Sequence, residues 1–228
     1  MSTLSILSAL IHVIAGTTTL VAGPIAILTN NRNTRIHKIA GMAFFVAMNV
    51  VCTTAVVGYF KHQNQVFYQF LLGIAIFVYA TILRGIRCIQ IMRGNKVSWF
   101  DFTYTGFMGV FGAWMLGMAA WQYSMGMDLI FPILFSVFGT STLKNAYDNY
   151  VIFSNPEKIV KLEWMRLHVM SMIGAFIAST TAFLVNIGGD HVVWYIQWFG
   201  PTILFTPLQI FWSRKLKNLM KKSNVQTA

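Results

Sequence analysis

Along the chain, runs of about 20 mostly apolar residues alternate with short polar and charged clusters, the run length an α-helix needs to cross a hydrocarbon core. Seven runs qualify, over 5–29, 39–60, 67–90, 103–124, 129–149, 167–187 and 193–213. Every connection except 150–166 is short, which leaves no room for a second domain. Backbone polar groups in lipid need partners within their own segment, so the predicted fold is all-α: a polytopic seven-transmembrane-helix bundle with a basic tail over 214–228. Ser154-Asn155-Pro156-Glu157 offers a capping residue, a proline at the first helical position and an acid in the first turn. The sixth helix is therefore expected to begin there and run along the membrane surface before entering lipid near Trp164. Trp99, Trp121, Trp164, Trp194, Trp198 and Trp212 lie near the expected helix ends, as an interfacial aromatic belt requires.

Composition narrows the class. Of the 228 residues 56% are hydrophobic and only 10% charged, whereas soluble domains carry roughly a quarter charged residues. A soluble domain, a disordered chain and a secreted disulfide scaffold are all excluded. The net charge of +11 would point to nucleic acid in a soluble protein, so its placement matters. All but Lys61 of the 17 Lys and Arg fall after helices 1, 3 and 5 or in the tail. The positive-inside rule then gives an outside N-terminus and a cytoplasmic C-terminus, with the lipid bilayer as partner and no nucleic acid. Arg214 to Lys222 is expected to lean on anionic headgroups. Met1 to Leu10 lack the positive charge of a signal peptide, so the first helix is read as retained. Cys52 and Cys88 sit inside apolar runs and read as small buried hydrophobes.

Candidate chemistry is sparse. Ion-coupled transport normally leaves a carboxylate near the bilayer midplane, but Asp101, Asp128, Asp148, Glu157, Glu163 and Asp190 all fall in loops, at interfaces or on the surface segment. No lysine between Val193 and Phe211 could form a retinal Schiff base. Phosphate loops, zinc signatures and a nucleophile elbow are missing, and no enzyme class is indicated. Histidines remain. His37 and His168 are expected at similar cytoplasmic levels, while His12 lies roughly 25 Å from that surface at 1.5 Å per residue, so one ligand cannot touch all three.

As axial ligands, His37 and His168 would hold a haem or a transition metal, with His12 a further metal-ligand candidate. Arg84 and Arg87 would pair with a haem propionate or an anionic headgroup. The competing account makes His37 and His168 interfacial residues bonded to carbonyls or to Asp148, His12 a partner of Thr53, Thr54, Thr181 or Asn186, and both arginines snorkelling side chains. Lys144 and Asp148 read as a local ion pair. Met115 and Met118 read as core filling, not copper ligands. Pro201 and Pro207, after Gly200, interrupt the last helix and suggest a small-molecule pocket lined by Gln197, Thr202, Thr206 and Gln209.

Three stretches carry a resemblance: His12 to Pro24 with Gly16 and Gly23-Pro24, His37-Lys38-Ile39-Ala40-Gly41, and Trp164 to Asn186 with His168 and Thr181-Ala182-Phe183. With Pro201 to Lys215, they resemble an uncharacterised group of bacterial multi-pass membrane proteins, domain of unknown function 2306. The resemblance implies a seven-helix protein of the bacterial cytoplasmic (inner) membrane and supplies no activity. Three functions fit the residues. The favoured one is a redox protein holding haem b or a transition metal, working with a homo-oligomeric or membrane redox partner. The others are a small-molecule or lipid binding or transport protein, and a non-catalytic assembly factor.

Overall fold

A computed structural model describes residues 3–30 and 33–226. Among them are seven long helices and no strand: α1 (Thr3–Thr29), α2 (Thr34–Lys61), α3 (Val66–Met92), α4 (Trp99–Ser124), α5 (Ile130–Ser154), α6 (Lys161–Gly188) and α7 (Trp194–Gln226). Single 3₁₀ turns at Pro156–Lys158 and Gly189–His191 flank α6. Each expected apolar run is a helix, and most extend past the run into polar sequence, because the hydrogen-bond ladder does not stop where the hydrophobic stretch does.

Four helical segments are long and apolar enough to cross a membrane: Ile6–Thr29, Thr34–Lys61, Val66–Met92 and Lys161–Gly188. The other three have the length but a diluted composition: α4 is rich in Gly, Trp and Tyr, α5 carries Lys144 and Asp148, and α7 carries two prolines and a basic end. Large apolar side chains stand fully outward, among them Leu28 (74% exposed), Ile203 (73%) and Val110 (67%). Rows of this kind suit hydrocarbon and not water, and by the length and composition of its helices this is a membrane protein.

Two expectations need correction. The sixth helix does not begin at Ser154–Glu157. Ser154 is the last residue of α5, and Asn155 leaves the helix at φ −136°, ψ 56°. Its side chain serves the preceding helix: Nδ2 donates to Val151 O (3.4 Å), and Oδ1 accepts from Lys158 Nζ (3.1 Å). With its oxygen engaged by Lys158, Asn155 caps no α6 amide, and Pro156–Lys158 forms an isolated turn before α6 starts at Lys161. The basic tail, in turn, is no separate segment. It continues α7 to Gln226, where Lys and Leu are good helix formers, and Lys215 Nζ lies 4.5 Å from the Trp212 ring. Residues 227–228 lie outside the described residues.

The chain divides into two compact units, with the boundary falling inside α2 and α3. Unit 1 contains α1, the first part of α2, the end of α3, α6 and α7. Here α6 is the hub. Gly23 of α1 lies under Phe176, where a Cβ would come within 2.5 Å of the ring, and Phe176 meets Phe205 of α7 edge-on at 5.1 Å. Gly85 of α3 lies under Met172, with space for no side chain of its own. Polar braces join α6 to α7: Arg166 Nη1 to Ser213 Oγ (3.3 Å) and Gln209 Nε2 to Met170 O (3.2 Å).

Unit 2 contains the remainder of α2 and α3 with α4 and α5. Asp101, Met108, Met115 and Gln122 recur every seventh residue on α4 and are all at most 1% exposed. Phe135, Thr142 and Asn149 do the same on α5, the seam of an antiparallel, coiled-coil-like pair. Gly112 and Gly139 bring the two backbones together: a Cβ on Gly112 would sit 3.0 Å from Leu143 N and 3.2 Å from Gly139 O. Phe70 of α3 packs against Phe131, Phe135 and Phe138 at 6.4, 5.1 and 5.5 Å.

Candidate functional site

His37 sits in the first turn of α2, just past the α1–α2 turn. Its Nδ1 lies 2.8 Å from Ala26 O, one of the last four carbonyls of α1. Carbonyls in that position have no partner within their helix, so the imidazole caps α1. His168 sits in the second turn of α6, and its Nδ1 lies 2.8 Å from Gly85 O on α3. The local sequence explains the approach. Because Gly85 has no side chain, the His168, Ser171 and Met172 face of α6 can press against the α3 backbone; a Cβ there would meet Met172 Cε at 2.4 Å and Ser171 Cβ at 3.3 Å.

In both rings Nδ1–H donates to a carbonyl, which places the lone pair of the neutral tautomer on Nε2. This is the arrangement that orients a metal-binding imidazole, where a carbonyl holds one nitrogen and leaves the other to ligate. Both rings are half-buried. His37 and Arg93 lie near enough to His168 to act on it electrostatically. Sequence reasoning did not single out Arg93, because an exposed arginine after the last turn of a helix carries no signal of its own. Arg84 and Arg87, half-buried on α3, flank Gly85; Arg87 Nη1 donates to Gln90 Oε1 at 2.8 Å.

His12, the further metal-ligand candidate, is not joined to the other two histidines: among the described residues no group of three or more His, Cys, Asp or Glu could hold a metal ion. His12 lies half-buried on α1, 14 residues before Ala26, or about 21 Å along the helix at 1.5 Å per residue. His37 and His168 lie near enough to interact electrostatically, each held by a helix carbonyl.

Of the expected pocket residues on α7, Gln197 and Gln209 serve as braces. Gln197 is buried and its Nε2 donates to Gly189 O (2.7 Å) and to Val192 O, closing the turn between α6 and α7. Gln209 reaches Met170 O, and Thr206 Oγ1 returns to Thr202 O (2.6 Å) within its own helix. Thr202 is exposed. Gln197, Thr206 and Gln209 each donate to a carbonyl, because unpaired amides and hydroxyls are costly away from water.

A cavity of about 500 Å³ occurs elsewhere, between α1 and α2, lined by Thr17, Thr18, Val21, Ala22, Ile25, Ile36, Ile39, Ala40 and Ala43. Lys144 and Asp148 form the expected ion pair at 2.6 Å, and Cys52 and Cys88 are free and buried. Met115 is fully buried against Gly73, as core filling requires. Comparison with family models, with curated proteins and with solved structures finds no match to this chain.

Proposed function

We propose that this chain is a seven-crossing protein of the bacterial cytoplasmic membrane, N-terminus outside and C-terminus inside, that holds haem b between His37 and His168 and passes electrons to a membrane redox partner. Kinship with domain of unknown function 2306 belongs to the same proposal. Its topology rests on the distribution of the cations, all but Lys61 on one predicted side.

The observation that carries the cofactor reading is the shared tautomer: two imidazoles, each with Nδ1 on a helix carbonyl at 2.8 Å, each leaving Nε2 to ligate. The donor set favours haem over an isolated metal ion. Zinc in a structural site takes four protein ligands and in a catalytic site three, whereas a bis-histidine haem takes two. Arg84, Arg87 and Arg93, all on or just past the end of α3, supply cations for the propionates. A bound haem supplies one-electron chemistry; the chain contributes the two ligands, their orientation and a cationic surround.

The test is the visible spectrum of the detergent-purified protein, oxidised and dithionite-reduced, with metal analysis on the same sample. A haem spectrum with one iron per chain, lost in His37→Ala and in His168→Ala, is expected. A transition metal without a haem spectrum would replace haem by an ion completed by exogenous ligands, and a colourless, metal-free protein overturns the reading.

A further inference from the structure

The groove between α1 and α2 has alanines at its floor and branched side chains along its walls. Ala22 and Ala40 are buried, while Val21 and Ile25 from α1 and Ile36 and Ile39 from α2 stand exposed on either side. Thr17 and Thr18 at its far end contribute methyl groups only, because their hydroxyls return to Val13 O (2.9 Å) and Ile14 O (2.8 Å) on their own helix. The slot is therefore apolar throughout and contains no aromatic ring to stack on a flat ligand.

Its length suits a single chain. From Ile25 to Thr17 is eight residues, about 12 Å at 1.5 Å per residue, close to one leaflet of a hydrocarbon core about 30 Å thick. The end at Ile25 and Ile36 opens toward the α1–α2 turn, where Arg35 and Lys38 alternate with the wall residues Ile36 and Ile39 and are exposed. These cations have no acid nearby in sequence: no Asp or Glu occurs before Asp101. An apolar slot of leaflet depth, with cations that have no acid nearby in sequence at its polar end, has the complementarity of an anionic phospholipid.

We propose that the α1–α2 groove holds one acyl chain of an anionic phospholipid, with Arg35 and Lys38 on its phosphate. Because a lipid tail is as well solvated by the bilayer as by the groove, burial alone gives no preference. The slot fixes where the lipid lies, and the cations select which lipid. The site uses neither imidazole of the histidine pair as a ligand.

The experiment uses the full chain in mixed micelles containing equal phosphatidylglycerol and phosphatidylcholine of identical chains, with retained lipid identified by native mass spectrometry. Wild type is expected to retain phosphatidylglycerol. The preference falls about fivefold for each cation removed in Arg35→Gln and Lys38→Gln. Ala43→Phe, at an exposed position in the groove, fills the slot without altering charge or core, and is expected to release the lipid as well. Equal retention of the two lipids by wild type overturns the proposal, as does unchanged phosphatidylglycerol in Ala43→Phe. A change of oligomeric mass in Ala43→Phe with lipid unchanged would assign the groove to a second copy of the chain, and the lipid site falls.

Discussion

An imidazole has two nitrogens whose roles can be separated by mutation, and at His168 they divide cleanly. Nδ1 ties α6 to Gly85 O on α3, while Nε2 is the atom that would hold the proposed haem. Asparagine can place an amide N–H near the position of Nδ1 but has nothing to replace Nε2. His168→Asn is therefore expected to keep the thermal midpoint of wild type while abolishing any haem absorbance. His168→Ala loses both, with about 1 kcal/mol of stability going with the hydrogen bond. Paired melting curves and spectra check this. Equal destabilisation of the two variants with absorbance retained would make His168 a helix tie and nothing more. In the sequence, the two histidines stood out as candidates, because few other ionisable side chains lie on or beside the apolar runs. Their partners did not. Ala26 O and Gly85 O are backbone carbonyls, which every residue carries, so no side-chain pattern marks which of them will be used.

At the scale of elements, the α4–α5 pair depends on a backbone crossing that only glycine permits. A Cβ on Gly112 meets Leu143 N at 3.0 Å and Gly139 O at 3.2 Å, and those atoms belong to a helix backbone that cannot rotate away. Gly112→Ala is expected to push the helices apart and cost on the order of 1–3 kcal/mol, as overpacking does. Gly117, on the same helix, has open space where its Cβ would be. There, alanine is expected to stabilise by up to about 1 kcal/mol through helix propensity alone. Thermal unfolding of both variants in one detergent checks the pair, and similar midpoints would show that the crossing tolerates a methyl group. The existence of all seven helices was legible, because an unbroken apolar run of this length has no other stable conformation in lipid. Their ends were less so. Ser154-Asn155-Pro156-Glu157 reads as a helix start, yet Asn155 closes α5, since the same side chain can serve the helix on either side. Conversely, Ser98 and Asp101 form a capping box that starts α4 at Trp99, four residues before the apolar run at 103, with Asp101 Oδ2 accepting from Ser98 N at 2.8 Å. The Ser-x-x-Asp spacing was in the sequence, hidden by an argument that placed boundaries by hydropathy and so put this acid outside the helix.

For the whole molecule, charge and hydropathy give separate answers about topology. Four helices qualify as spans by composition, while seven crossings also place every cation but Lys61 on one side. The difference lies in α4, α5 and α7, where the Lys144–Asp148 pair on α5, with glycine, tryptophan, tyrosine and threonine, lowers the hydropathy. Such residues do suit a bundle interior: small ones permit close crossings, and hydroxyls bond back to the helix, as Thr142 Oγ1 does to Phe138 O at 2.7 Å. Three turns decide whether α4 and α5 cross. In either case, Gln63 lies opposite Asn95, with α3 between them. With seven crossings Met127 shares the side of Gln63; if α4 and α5 do not cross, it shares the side of Asn95. Single cysteines at these exposed positions, with a membrane-impermeant maleimide on intact cells, distinguish the cases, since the native Cys52 and Cys88 are buried. Gln63→Cys and Met127→Cys are expected to label before permeabilisation and Asn95→Cys only after it. Labelling of Asn95→Cys first would invert the orientation derived from the cations. Labelling of Met127→Cys together with Asn95→Cys would leave α4 and α5 on one side of the bilayer. In that case the glycine crossing of α4 and α5 would have to be explained by packing outside the hydrocarbon, where Val110 at 67% exposed has no apolar solvent to face.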